Sequence, residues 1–239
     1  MRLKMVFELK KPELDIEYRK VFLSLLKNGF KQASEEVFNT FYGDGTPMKP
    51  FTFGVFLNNP EFDGNLIHLK SNEITLNFST FDSKLGIYFY NSLVQKKIRF
   101  APYPLPNDNE MTVKRIIHLR EKPVKSNEAV FKTLSPFLVR VHNKEENTDK
   151  YLTKHDESFV SQLEENIRAM VEILLGKKEH VEFMPVILND PFPVRHYGVP
   201  VNANTGIFKL TGNPEILDFI YKVGIGSRRS EGFGLLEMV

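Results

Sequence analysis

An α+β chain of two successive βαββαβ units, tandem ferredoxin-like (RRM-like) domains, is the fold class the sequence predicts from three observations. Strand-like runs of period two and helical stripes follow one another as β-α-β-β-α-β, and that order occurs twice. Residues that start and stop helices punctuate the stripes: Pro12, Asp156 and Asn213-Pro214 at beginnings, Gly29, Gly176 and Gly224 at ends. The composition, 41% apolar and 26% charged over 239 residues, is that of a globular chain long enough for two cores. The repeat lies in the order of elements, not in residue identity.

The first round opens with "RLKMVFEL", which places Leu3, Met5, Phe7 and Leu9 on one side of a strand. A helix is expected next, with Pro12 in its first turn, Leu14, Tyr18, Val21, Phe22, Leu25 and Leu26 as its apolar stripe, and Gly29 as its C-cap. Two alternating runs follow, "FTFGVFL" and "ITLNFS", then a helix over "DSKLGIYFYNSLVQKK" and a proline-interrupted edge segment, "IRFAPYPL". The second round begins near residue 113, with the domains placed at 1–115 and 116–239. "VKRIIHL" and "AVFKTLSPFLVRV" read as strands, the latter broken or bulged at Pro136. Asp156 is expected to cap a helix carrying Phe159, Leu163, Ile167, Met170, Val171 and Leu174 and ending at Gly176. "HVEFMPVIL" and "GIFKLTG" supply strands, Asn213 caps a helix ending at Gly224, and "LLEMV" closes the chain.

Composition removes several function classes. With no cysteine there are no disulfides, thiolate metal sites or Cys nucleophile, and the six histidines show no HxxxH or HExxH spacing, so no metal or other cofactor is expected. No apolar run is long enough to span a bilayer and "MRLKMVFELKK" does not read as a signal peptide, so a cytoplasmic protein without a membrane partner is expected. The net charge is +2, yet Lys96 to Lys125 holds eight basic residues, Lys114 and Arg115 among them, against three acidic ones. That stretch reads either as a solvated face or as a phosphate-contacting surface.

The ending "GIGSRRSEGFGLLEMV" has Arg229 where GxGxxG requires its third glycine, lacks GK[ST], and lies after a helix and before a strand. No nucleotide fingerprint fits. Two readings stay open: a tight turn whose glycines take positive φ, or an anion site built from a nest of backbone amides with Arg228 and Arg229. The same residues resemble the C-terminal glycine-rich motif of the Cas6 family of CRISPR repeat-processing endoribonucleases, in which a GxG, a short polar insert and a GFG lead into the last strand. "KPFTFG" (49–54), "TLSPF" (133–137), "YLTKHDESFVSQLEENI" (151–167) and "GIFKLTGNPEILDFIYKVGIG" (206–226) resemble family segments in the same order. The resemblance implies the tandem fold already derived from the element order. It also implies that Gly224, Gly226, Ser227, Arg228, Arg229, Gly232 and Gly234, with Lys114 and Arg115, contact CRISPR repeat RNA. Other Cas proteins and a second copy of the chain are further partners it admits.

The resemblance further implies metal-independent cleavage, in which a ribose 2′-OH attacks the adjacent phosphorus and leaves a 2′,3′-cyclic phosphate and a 5′-OH. Such a reaction needs a proton acceptor, a proton donor to the leaving oxygen and a cation near the phosphorane. Many family members supply a histidine after the first helix. Here "GFKQASEEVFNTFYGDGTPMKPFTFG" (29–54) has none. Tyr42 is nearest by position and Lys49 supplies a positive charge; a tyrosine, ionising near pH ~10, orients a hydroxyl or donates a proton better than it accepts one. A repeat-RNA binder without nuclease activity, or a structural subunit of a CRISPR ribonucleoprotein, is the alternative. His68 is the next histidine along the chain and reads more readily as a packed strand residue. "KPFTFGVF" also matches the aromatic pattern of an RNA-recognition strand, but Phe51 and Phe53 share the core-facing side with Val55 and read as core.

Overall fold

The computed structural model describes every residue except Asp44 and Thr46. The chain divides into two compact units, Met1–Lys49 with Gly54–Glu121, and Pro50–Phe53 with Lys122–Val239. Each carries a ferredoxin-like sheet, five-stranded in the first and four-stranded in the second.

In the first unit the elements are β1 (Arg2–Leu9), β2 (Glu13–Asp15), α1 (Tyr18–Ala33), α2 (Glu35–Tyr42), the second half of β3 (Phe51–Phe56, of which residues 51–53 belong to the second unit), β4 (Glu61–Asp63), β5 (Leu66–His68), β6 (Glu73–Thr80), α3 (Ser83–Ile98), β7 (Tyr103–Leu105) and β8 (Asn109–Leu119). The main sheet runs β3-β6-β1-β8-β7, the ferredoxin-like order with one short strand added at the edge. Leu3, Met5 and Phe7 of β1 face Phe78, Leu76 and Ile74 of β6, so the period-two pattern becomes one apolar surface. Phe22, Leu25, Leu26 and Phe30 of α1 and Leu85, Phe89 and Leu93 of α3 are also fully buried in this unit.

Two expectations change here. "VKRIIHL" closes the first sheet by pairing with β1, Met5 opposite Ile116, rather than opening the second round. Pro12 does not start α1: Leu14 is buried in a three-stranded sheet, β2-β5-β4, and the Asp15 carboxylate accepts the Glu17 amide as the chain turns into the helix. Gly29, expected as a cap, lies inside α1. A Cβ there would sit 2.7 Å from the Ser92 hydroxyl of α3, so this glycine sets how closely the two helices approach.

The second unit holds β9 (Glu128–Thr133), β10 (Val139–Asn143), β11 (Thr148–Leu152), α4 (Phe159–Leu175), β12 (Glu182–Leu188), β13 (Phe192–His196), β14 (Val199–Ala203), β15 (Gly206–Thr211), α5 (Pro214–Val223) and β16 (Leu236–Met238). Its sheet order, β12-β15-β9-β16, again has the first strand between the third and the last. Asn213 caps α5 through the Glu215 amide, with Pro214 in the first turn, and Gly176 ends α4 at φ +68°. Asp156 does not cap α4. Its carboxylate accepts the amide and hydroxyl of Thr153 one turn earlier, and Ser158 occupies the N-cap position.

Beyond the repeat, two hairpins stand on this unit, β10-β11 and β13-β14. The second turns at Tyr197 and Gly198, both at positive φ as a tight hairpin turn requires. Leu138, Val194, Val201 and Ala203 from these segments enclose Phe233 in a small core of their own, with Tyr151 against it. The hairpins thereby pack on the glycine-rich ending.

Candidate nucleic-acid interface

The segment from Gly224 to Leu235 is joined to the rest of its unit by backbone contact. Gly224, Gly226, Gly232 and Gly234 all have positive φ. A Cβ would lie 2.4 Å from the Leu138 carbonyl oxygen at Gly226, and 2.0 Å from the Ile225 carbonyl oxygen at Gly234. No side chain fits there. The Ile225 amide donates to Gly234 O, the Gly234 amide to Pro136 O and the Ser227 amide to Leu138 O. Ser135 Oγ accepts the Leu235 amide at 3.0 Å, and Thr52 Oγ1 donates to Phe233 O at 2.7 Å.

An anion nest of loop amides was one reading of this ending, and the geometry does not favour it. The amides of Gly224, Ser227, Gly232 and Gly234 are all taken up by carbonyls of the same unit. Arg229 also differs from expectation: it is 5% exposed, and its guanidinium donates to Val223 O at 2.9 Å. Val223 is the last residue of α5, so this cation meets the negative end of the helix dipole. Burial lowers its pKa to about 10, which leaves it charged at neutral pH.

Arg228 remains the cation that the loop presents. It sits at φ +56°, a conformation that costs an L-residue about 1–2 kcal/mol. Its Nη2 lies 3.1 Å from Asp149 Oδ2, and its Nη1 lies 3.4 Å from Glu231 Oε1. Desolvation pulls its pKa down, but the hydrogen bonds to Tyr151 and Asp149 and the charge of Glu231 more than offset this, and the net shift is upward. Asp149 in turn receives Arg140 Nε at 3.1 Å and His142 Nδ1 at 2.8 Å, while His196 Nε2 lies 3.2 Å from Glu231 Oε2. Burial raises the Asp149 pKa, yet its hydrogen bond to His142 and the charges of Arg140 and Arg228 outweigh that and hold it below the usual value. Asn166 of α4 fixes the arrangement, since its Oδ1 accepts both the Arg140 amide and the Ser227 hydroxyl.

Sequence reading found Arg228 and Ser227 but missed Arg140, His142, Asp149, Tyr151, His196 and Glu231. A signal was present. Arg140 and His142 are two apart on β10 and stand opposite Tyr151 and Asp149 on β11, a polar face that period-two alternation would expose once the hairpin is known.

In the first unit Tyr42 and Lys49 do come together. The Lys49 ammonium lies 4.7 Å from the centre of the Tyr42 ring, Lys27 lies 5.0 Å from it, and the rings of Phe30 and Phe38 stack against it. Cation–π attraction therefore holds Lys49 over the ring face. Asp44, inside the "FYGDG" motif, lies outside the described residues. His68 stands on β5 with its Nε2 3.9 Å from Asp63 Oδ2. Phe51 and Phe53 are fully buried, as the alternation indicated, whereas Phe56 is exposed. Lys114 faces Glu8 at 2.5 Å and Arg115 lies 3.8 Å from Glu73, both on the exposed part of β8. Among the described residues no group of three His, Asp or Glu side chains is placed to hold a metal, and no helix is long and apolar enough to cross a membrane.

The two sheets define the chain as a tandem ferredoxin-like protein, and solved structures share that fold along its whole length. One, described as a Cas6-related gene from Pyrococcus furiosus, aligns at a TM-score of 0.85 and 20% identity over 100% of this chain and 98% of its own. Another, described as a RAMP protein binding different RNA substrates, aligns at 0.82 and 19% identity, over 100% and 99%. The family described as CRISPR associated protein Cas6, C-terminal, matches residues 119–238, and the chain belongs to the Cas6 family. A CRISPR-associated endoribonuclease Cas6 of Pyrococcus furiosus is 31% identical over 133 residues, 55% of this chain and 49% of that protein. A putative CRISPR-associated endoribonuclease-like protein Cas6nc of Pyrococcus horikoshii is 28% identical over 116 residues, 47% and 48% of the two chains. The chain thus spans about half the length of the curated relatives it matches.

Proposed function

We propose that this chain binds CRISPR repeat RNA through the second unit's arginine cluster and cuts it without a metal, by 2′-OH attack. The observation that carries the reading is Arg228, held in a strained backbone conformation at the glycine-rich loop beside Arg140, His142 and His196. Strain of this kind collects at ligand-binding positions, and arginine is the side chain suited to bidentate phosphate recognition. Membership of the Cas6 family and similarity to a CRISPR-associated endoribonuclease support the choice of RNA. In the cleavage step the 2′-oxygen bonds to phosphorus, its proton passes to a base, and the 5′-oxygen leaves with a proton from an acid. Tyr42 is proposed as proton donor or hydroxyl-orienting group and Lys49 as its cationic neighbour. Other Cas proteins and a second copy of the chain are proposed as partners.

A second reading, a repeat-RNA binder that does not cut, is favoured by one observation: no histidine stands between Gly29 and Gly54, and the Tyr42 ring face is occupied by lysine. Incubation with repeat RNA in EDTA separates the two. Cleavage should yield a cyclic phosphate terminus and be lost in Tyr42→Phe. Intact RNA that is demonstrably bound leaves only the second reading, in which case Tyr42→His should create cleavage. Repeat RNA that neither binds wild type nor responds to Arg228→Ala refutes both.

A further inference from the structure

Helix α3 ends in a turn that is unusual in one residue. The Ala101 amide donates to Lys96 O and the Phe100 amide to Lys97 O, the paired bonds of a Schellman cap. The cap places Phe100 at φ +48°, where glycine is the usual occupant and a bulky residue is an outlier. Folding does not explain the choice, because the ring is 86% exposed. Beside it lies a groove of about 590 Å³ between the end of α3 and β8, floored by Tyr90, Val94 and Ile116 and rimmed by Lys96, Lys97 and Lys114. No acidic residue lines it, and of the three lysines Lys114 is paired with Glu8. β7 covers the outer edge of β8 only from Asn109 to Met111, so the groove flanks a strand edge with no strand partner among the described residues.

An exposed aromatic face beside a cationic rim is the arrangement by which proteins hold single-stranded nucleic acid, with bases stacking on rings and phosphates meeting lysine. We infer that this groove takes unpaired nucleotides of single-stranded RNA, one base stacked on Phe100 and the adjoining phosphates against Lys96 and Lys97. The inference rests on the RNA-binding reading above and adds a second contact area, in the first unit. The lysine rim favours a polyanion over a second copy of this nearly neutral chain, whose net charge is +2.

The test uses the full chain, a fluorescein-labelled oligouridylate and its 4-thiouridine form. Phe100→Gly should relax the cap and raise the melting temperature while weakening oligouridylate binding about tenfold, within the range for loss of one stacked base. Phe100→Trp should restore affinity. Lys96→Glu/Lys97→Glu should weaken binding and flatten its salt dependence. Photocrosslinking should mark the peptide containing Phe100. Affinity unchanged in Phe100→Gly and in the lysine variant, with no crosslink there, overturns the groove while leaving RNA binding at Arg228 standing. Wild-type protein that binds neither oligouridylate nor repeat RNA overturns both. A dimer that Phe100→Gly dissociates in light scattering, with RNA affinity unchanged, assigns the groove to a second copy and sinks the inference.

Discussion

Both units connect the helix before the last strand to that strand, and they build the joint in opposite ways. In the second unit, residues 224–235 carry four glycines at positive φ, and the amides of Gly224, Gly232 and Gly234 are bonded to carbonyls within the unit. In the first, residues 99–108 take positive φ at Phe100, Asn107 and Asp108 without a glycine, and leave Phe100 open to solvent. Identical topology therefore does not impose identical use. Backbone pressed against backbone gives a rigid seat from which Arg228 projects; a cap closed with an aromatic residue gives an exposed ring at a lysine-rimmed edge. Positive φ alone is therefore not a binding signal. What surrounds it decides.

The comparison breaks most visibly at Gly234. An added Cβ would meet the Ile225 carbonyl oxygen at 2.0 Å with φ at +71°, so Gly234→Ala should cost about 4 kcal/mol or more in urea denaturation, the scale of the severest single substitutions. Gly176 is the control. Its φ is +68°, yet nothing lies within 4 Å of its Cβ position, so Gly176→Ala should cost only the left-handed penalty of about 1 kcal/mol. Equal losses at the two sites would show that conformation, not backbone contact, defines the second unit's joint.

A smaller effect tests whether the Arg228 seat is electrostatic. The Asp149 carboxyl has its pKa depressed in the folded protein, so its contribution is fully present above the ordinary value of 3.8 and is lost as pH falls through the lower native value. Asp149→Asn should therefore lose about 1 kcal/mol at neutral pH, the upper end for ion pairs near the surface. The stability gap between wild type and variant should close below the ordinary value. A gap that persists into acid would mean that packing of the hairpin, not charge, holds Arg228.

Much of this architecture was legible in the sequence. The apolar stripes of α4 and α5 and the alternation of β1, β3 and β6 are strong local patterns that tertiary contacts reinforce. Other elements were misread where two structures shared one pattern. Leu14 satisfied the helical stripe but is buried in β2, and "VKRIIHL" is strand-like whichever sheet claims it. The arginines show the limit at the site. Adjacent in sequence, Arg228 and Arg229 face opposite fates because one side chain reaches the end of α5 and the other reaches β11, a distinction no spacing rule contains. The cluster around Asp149 depended on two hairpins whose turns, at Asn147 and at Tyr197-Gly198, lack the Asn-Gly or Asp-Gly pair that marks such turns.

The smallest expected effect sharpens what close approach means. Gly29 in the first unit also admits no Cβ without adjustment, but the obstacles are the Ser92 hydroxyl at 2.7 Å and the Phe89 ring at 3.2 Å, both side chains, and its φ is not in the left-handed region. Alanine gains about 1 kcal/mol of helix propensity over glycine, which opposes the cost of moving that hydroxyl off Phe89 O. Gly29→Ala should therefore shift stability by less than about 1 kcal/mol. Removing the hydroxyl as well leaves the Ser92 Cβ at 3.5 Å and the Phe89 ring edge at 3.2 Å, which still has to give slightly, so Gly29→Ala/Ser92→Ala should be more stable than the sum of the single changes by up to about 1 kcal/mol. No such companion exists for Gly234, where the obstacle is a main-chain oxygen that every residue carries. Rescue in the first unit and none in the second would place the rigidity of the glycine-rich joint in its backbone.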